Sequence, residues 1–145
     1  MTPRETAEKS AAAMWAADAA SKWFGMEIVE VDEGRATLRM TIAAHHANGH
    51  GICHGAVIYA LADSAFAFAC NSRNQASVAQ SNMITYIAPA RVGDVLTATA
   101  EEISVAGRSG IYDVSVADGH GTAIAEFRGH SRTVKGVLFD EAKGN

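Results

Sequence analysis

The sequence predicts an α+β domain in which an antiparallel sheet wraps around one long central helix, with a further helix at the N-terminus. Three observations lead there. Residues 56–70 are almost wholly apolar, long enough for several helical turns and too apolar to lie on a surface. The stretches on either side of them, 27–42 and 77–134, are rich in alternating β-branched residues. Turn signals built on Gly, Asp and Asn separate those stretches at short, regular intervals.

The elements follow in order. Residues 5–23 are Ala-rich, contain no Gly or Pro, and stop before Gly25, so they read as a helix. Residues 27–32 and 35–42 flank the turn Asp32-Glu33-Gly34 and read as a hairpin with one buried face. Residues 43–53 form a polar loop. Residues 54–71 make the central helix, about five turns long, and 71–75 turn the chain out of it. Four strands follow as a meander: 77–87 before Pro89, then 94–105, 109–117 and 122–134. The tail, 135–145, is rich in Gly and charge and is expected to fray. The whole of 1–145 reads as one domain.

Composition narrows the function. An apolar fraction of 48% supports a real core, and a charged fraction of only 19% hints that part of the surface is covered by other subunits. A net charge of −4 argues against nucleic acid as a partner, which would need a basic stripe. The N-terminus has no apolar signal region, and no run reaches the roughly 20 apolar residues that span a bilayer, so no membrane partner is expected. The two cysteines, Cys53 and Cys70, form no disulfide framework, which fits a cytoplasmic setting. Cys53 beside His54 raises a nucleophilic pair, but neighbours on a helix point about 100° apart. His45, His46, His50, Cys53 and His54 raise a metal site, but no second ligand cluster or suitably spaced carboxylate accompanies them, so no metal is expected.

One residue stands out. Asp63 is the only charged side chain between His54 and Arg73. A carboxylate buried in such a segment costs several kcal/mol unless it is paired, neutralised or used. The bland alternative is an acid capped by an amide or the backbone.

Asn48-Gly49-His50-Gly51-Ile52-Cys53-His54-Gly55-Ala56, Leu61-Ala62-Asp63-Ser64-Ala65 and Asn71-Ser72 resemble the hotdog-fold acyl-CoA thioesterases, most closely the PaaI type of phenylacetate degradation. Tyr86 to Pro89, the Gly107-Arg108 turn with Tyr112 beyond it, and Phe127-Arg128-Gly129 resemble the family's later landmarks. The resemblance runs roughly from Trp15 to Val134. Ala56 stands where the family often has a second glycine. The resemblance implies the hotdog fold, hydrolysis of an aryl-acyl-CoA such as phenylacetyl-CoA or hydroxyphenylacetyl-CoA, and a subunit-shared site in a homo-oligomer, a dimer at least and often a tetramer. It implies no cofactor beyond the coenzyme A of the substrate.

The chemistry fits those residues. A thiolate is a good leaving group, so a single carboxylate can suffice. Asp63 would activate water as a general base or attack the carbonyl directly, and the sequence leaves both routes open. Gly55 lies in the first helical turn, where an unpaired N–H and the helix dipole favour negative charge, so it is a candidate oxyanion donor. Gly55 and Asp63 are eight residues apart, about 12 Å along a helix axis. The reacting carbon must be within roughly 3–3.5 Å of its attacker. One subunit therefore cannot offer both, whereas two antiparallel helices across a two-fold axis can. Asn48 would orient water, the carboxylate or the carbonyl, or be only a turn residue; His54 is a positioning residue or a helix cap.

Ser81 and Ser64 are candidates for contacts to the thioester, Ser64 also for a bond to its own helix. Tyr59, four residues before Asp63, is a candidate for the acyl pocket. Tyr59, Phe66, Phe68 and Met83 otherwise read as core. For the coenzyme A phosphates, Arg108 beside Gly107 and Ser109 is well placed, Arg128, Arg132 and Arg91 are other options, and the sequence leaves open which of them reaches the nucleotide. Two rival functions are a non-catalytic hotdog sensor of acyl-CoA and a hotdog dehydratase. The second would need a His and an acid paired across the interface, which the sequence does not offer.

Overall fold

The structure, a computed structural model, describes residues 1–142. Helix α1, Pro3–Ala17, begins where Thr2 caps it: Thr2 Oγ1 accepts from Glu5 N at 3.1 Å, and Glu5 returns the contact to Thr2 N at 3.4 Å. The single N-terminal helix expected from composition is in fact two. The chain breaks at Asp18, whose carboxylate accepts from Ser21 N (2.8 Å) and Ser21 Oγ (2.6 Å) and so starts a second helix, α2, Ala19–Phe24. Gly25, at φ +85°, ends it.

Strands β1 (Met26–Asp32) and β2 (Arg35–Thr41) form the expected hairpin. The loop after β2 holds a short 3-10 turn, Ala44–His46, and closes with a bridge between Ala47 and Cys53. The central helix α3, Gly55–Cys70, is followed by β3 (Ser77–Tyr86), β4 (Val95–Ala106), β5 (Ser109–Ala117) and β6 (Ala123–Thr133). All six strands form one antiparallel sheet in the order β1-β2-β4-β5-β6-β3.

That order corrects the expected four-strand meander. Only β4, β5 and β6 are a meander. Strand β3 crosses to the far edge beside β6, and β4 pairs with β2 instead. The sheet curls around α3, whose Leu61, Ala62, Ala65, Phe66 and Ala69 are buried against it. Facing residues alternate in size: Leu38 pairs with Ala98 and Ala98 with Val116, while Ala36 pairs with Ala100 and Ala100 with Val114. The alanines let the helix approach the sheet, and the larger neighbours fill the space beside it. The outward face carries the ion pairs Arg39–Glu27, Arg35–Glu101 and Arg128–Asp113. These are exposed, so each adds little to stability.

The start of the tail does not fray. Asn74 Oδ1 accepts from Leu138 N (2.9 Å) and Phe139 N (3.0 Å), and its Nδ2 donates to Phe139 O at 3.0 Å. Gln75 adds bonds to the carbonyls of Val134 and Gly136. The expectation for 143–145 lies outside the described residues.

Candidate active site

The apolar helix begins at a well-prepared N-terminus. His54 is its cap: the ring Nδ1 accepts from Ala56 N at 3.0 Å, and its backbone N–H donates to His46 O at 2.8 Å. The carbonyl of His54 takes Val57 N and Ile58 N. The N–H of Gly55 is left without a hydrogen-bond partner among the described residues, as one of the orphan donors of a helix start. On its other side the carbonyl of Gly55 accepts from Tyr86 Oη at 2.8 Å. The fit is close: a Cβ on Gly55 would lie 3.0 Å from Tyr86 Cζ and 3.1 Å from its Oη. Glycine here serves a close approach by the protein's own ring as well as any approach by substrate.

Asn48 holds the loop in front of this helix. Its Oδ1 accepts from His50 N (2.9 Å) and Ile52 N (3.3 Å), an Asx turn closed by Gly51 at φ +77°. The carboxamide oxygen is therefore committed to the loop, and the NH2 is the group left to meet a ligand. Asn48, Gly55, Ile58, Tyr86, Ile87 and Pro89 line a cleft of about 450 Å³.

Asp63 is not in that cleft. It sits in the middle of α3, two turns further on, half-buried, and its Oδ1 accepts from Asn82 Nδ2 at 3.2 Å. Burial pushes its carboxyl above the usual range, and the Asn82 amide pulls the other way. The same Nδ2 donates to Tyr59 Oη at 2.9 Å. The same helix thus carries an orphan N–H at a cleft and, about 12 Å further along, a desolvated carboxylate.

The remaining predicted residues scatter. Tyr59 lies beside Asp63, its ring edge-on to Phe127 at 5.5 Å between centroids. Ser64 faces neither group: its hydroxyl meets Ser21 Oγ at 2.9 Å and ties α2 to the central helix. It bonds there rather than to a carbonyl of its own helix because Ser21, held by Asp18, is presented at the right height. Ser81 is exposed on β3, just past a bulge and opposite His130. Arg108 and Ser109 are exposed at the β4–β5 turn, and their side chains make no hydrogen bond among the described residues.

Arg128 is not available as an uncommitted cation. Its Nε and Nη2 grip Asp113 Oδ1 and Oδ2 at 2.6 and 2.8 Å, because β5 and β6 pair these two positions directly. Phe66 and Phe68 are core, but Met83, read as core, is 69% exposed because β3 is an edge strand.

Sequence reasoning misses the roles of Tyr86, Asn82 and His46; of these, only Tyr86 carries a signal, as a landmark. His46 is buried; its Nδ1 accepts from Ala43 N at 2.9 Å and its carbonyl takes His54 N, so it locks the loop to the helix start. Its imidazole is pushed below the usual range, first by burial and then by His45, 4.3 Å away between centroids. Apart from this His45–His46 pair, no three metal-ligating side chains gather among the described residues. Cys53 and Cys70 are buried, their thiols pushed up to about 11 and about 12 by desolvation, which leaves them poor nucleophiles.

The model of the Thioesterase superfamily matches residues 50–125, from the loop through the central helix to the start of β6. The chain belongs to the thioesterase superfamily. It is 40% identical over 134 residues to the acyl-coenzyme A thioesterase PaaI of Escherichia coli K12, an alignment that covers 92% of this chain and 96% of that one. The solved structure of the E. coli PaaI protein from the phenylacetic acid degradation operon superposes with a TM-score of 0.92 at 39% identity, covering 94% and 99% of the two chains. A mutant of the phenylacetic acid degradation protein PaaI from Thermus thermophilus gives a TM-score of 0.78 at 33% identity, covering 81% of this chain and all 100% of its own. The hotdog fold expected from the motifs is the fold of this thioesterase. None of its helices is long and apolar enough, among the described residues, to cross a membrane.

Proposed function

We propose that this chain hydrolyses the thioester of an aryl-acyl-CoA, phenylacetyl-CoA or a ring-hydroxylated form of it, to the free acid and coenzyme A. The observation that carries the proposal is the pairing of an unpartnered Gly55 N–H over an apolar cleft with a desolvated Asp63 on the same helix. The likeness to the E. coli acyl-coenzyme A thioesterase supports the substrate class.

In this mechanism the thioester carbonyl oxygen sits on the Gly55 N–H. Charge develops on that oxygen as the carbon becomes tetrahedral, and a prealigned donor at a helix start stabilises it. Asp63 takes a proton from water as the water oxygen bonds to the carbon. Alternatively its own oxygen bonds there to give a mixed anhydride that water then cleaves. In both routes the C–S bond breaks, the thiolate of coenzyme A leaves, and the released proton ends in solvent. The Asn48 NH2 orients the carbonyl or the water. No metal or further cofactor enters.

The two half-sites must come from different chains. Strand β3 is an open edge carrying exposed Val78, Met83 and Tyr86, with exposed Ile87 just beyond its end. A second copy docked there in antiparallel fashion would bring its Asp63 to the cleft of the first, giving two identical sites per dimer. We place the protein in the cytoplasm, where its unpaired cysteines stay reduced, as a dimer or a tetramer of such dimers.

The test is thiol release from phenylacetyl-, hydroxyphenylacetyl-, benzoyl- and straight-chain acyl-CoAs, with Asp63→Asn alongside. Release fastest with the aryl-acetyl esters and lost in Asp63→Asn is the expected result. Binding of these esters without any release would overturn the enzyme and leave an acyl-CoA sensor.

A further inference from the structure

Asn82 belongs to no motif in the sequence, yet among the described residues it is the side chain that hydrogen-bonds Asp63. On β3 it stands opposite Gly129 of β6, where a Cβ would lie 2.8 Å from the Phe66 ring. The wall around it is aromatic: Tyr59 meets Phe127 edge-on, and Phe66 lies 5.9 Å from Phe127 between centroids. Into this wall Asn82 brings a carboxamide. Its Nδ2 donates to Tyr59 Oη at 2.9 Å and to Asp63 Oδ1 at 3.2 Å, so both hydrogens of the NH2 are used and the amide plane is fixed. Its Oδ1 is buried with no partner among the described residues. A side chain present for packing alone would be apolar and would strand no acceptor. An amide that strands its acceptor while placing both donors is arranged for the donors.

We propose that Asn82, itself held by Tyr59, is the positioning residue that sets the orientation of the Asp63 carboxylate. The proposal rests on the role given to Asp63 above. Tyr59 lies one turn before Asp63 on the same face of α3, and Phe127 clamps its ring, so the phenol gives the amide a fixed second anchor. An amide donor on a carboxylate favours the ionised form, and that form is the one that takes a proton or attacks carbon. Burial acts against ionisation, and Asn82 is the one side-chain donor to Asp63 among the described residues.

Among the described residues no cation pairs with Asp63 to take over that task. The ionisable groups nearest Asp63 on its own helix are Tyr59 and Cys70. Strand β3 presents Tyr86, bonded to Gly55 O, and β5 presents Tyr112, bonded to Glu102 of β4, which Arg73 holds. At the start of α2 the carboxylate of its cap, Asp18, is taken by Ser21. Arg35 and Arg39 of β2 are paired on the outward face, and Arg128, His130 and Arg132 of β6 are exposed there too.

The experiment is the pH profile of kcat/KM for thiol release by the assembled protein. Asn82→Ala should lower kcat about tenfold or more at neutral pH with little change in KM, and should move the acid limb to higher pH. Tyr59→Phe keeps the ring against Phe127 and should move the same limb in the same direction by less. A merely structural role would lower the melting temperature and leave the limb in place. An unmoved limb in Asn82→Ala overturns the proposal whatever the loss in kcat; should that variant not fold, an unmoved limb in Tyr59→Phe does so. Asp63→Asn separates the two levels. If it hydrolyses at the native rate, the base itself is misassigned and the proposal falls with it. If it is inactive while the limb stays put in the other variants, only the role of Asn82 is overturned.

Discussion

Gly55→Ala separates a catalytic glycine from a structural one, and the structure sets the scale. The added Cβ would stand 3.0 Å from Tyr86 Cζ, against an ordinary carbon–carbon contact of about 3.5–4.0 Å. The ring must withdraw by roughly half an ångström or more. It is free to do so, because Tyr86 is 49% exposed on an edge strand. The withdrawal stretches the 2.8 Å bond from Tyr86 Oη to Gly55 O. Loss of that bond costs about 0.5–1.5 kcal/mol. Alanine is favoured over glycine in a helix by up to about 1 kcal/mol, so the two changes nearly cancel. For a chain of this size the net should move the melting temperature by no more than about 4 °C.

Activity should respond quite differently. The methyl and the displaced Tyr86 ring, both on the lining of the cleft, should crowd a carbonyl oxygen away from the orphan N–H. Mislaying one oxyanion donor costs about 10²–10³ in kcat. The assay is thiol release from phenylacetyl-CoA together with a thermal melt of the same sample. A native kcat would refute the oxyanion assignment outright. A fall in melting temperature far beyond about 4 °C, with activity lost in proportion to unfolded protein, would show the glycine to be needed only for packing against Tyr86.

Other variants give equally definite expectations. Gly129→Ala forces a Cβ to 2.8 Å from Phe66, whose ring is buried between Tyr112 and Phe127 and cannot yield, so it should destabilise the fold by about 1–3 kcal/mol, read by urea unfolding. Burial raises the Asp63 carboxyl, so its protonated form favours the folded state and that contribution is lost as pH climbs through the raised value. Asp63→Asn should therefore be no more stable than the native protein in acid and more stable near neutrality, and melting curves across pH that stayed parallel would contradict this. Arg108 is exposed and makes no bond, whereas Arg128 is already spent on Asp113. Arg108→Ala should raise KM for acyl-CoA about two- to fivefold with kcat kept, an effect that salt diminishes, and Arg128→Ala should raise it less.

Much of this is legible in the sequence because local signals and tertiary structure agree. The apolar run around Asp63 announces a buried helix, and the helix forms within one residue of its expected ends, with His54 as cap and Asn71 closing it. The hairpin about Gly34 and the strand at 109–117 are equally plain. What is not legible depends on partners far apart in the chain. Nothing local says that β3 leaves its neighbour β4 for the far edge, because pairing is decided by which surfaces remain to be covered. Nothing near Ser64 reveals that its hydroxyl goes to Ser21. The break at Asp18 does have a signal, an Asp three residues before a Ser in an Ala-rich helix, but helix propensity alone passes over it. Asn82 has no such local signal: what sets it apart is a carboxamide of intermediate burial in a strand whose other positions are mostly exposed.

The far-edge position of β3 ties the features of the site together. Beside β6, the strand lies along the flank of α3 and reaches both of its functional levels. Tyr86 near its end bonds Gly55 at the helix start, and Asn82, four residues earlier, bonds Asp63 two turns along. One strand thus braces both the helix start and the carboxylate, and the same strand is the open edge. Had β3 paired with β4 as chain order suggests, the helix flank would be bare and the edge would carry neither contact. A docked second copy would therefore press on the very strand that holds Asp63 and Gly55 in place, so assembly and catalysis should fail together. A charge on that edge, Val78→Lys, lies away from both contacts and leaves each half-site intact. It should yield monomers without activity, and an active monomer by sedimentation would refute the shared site.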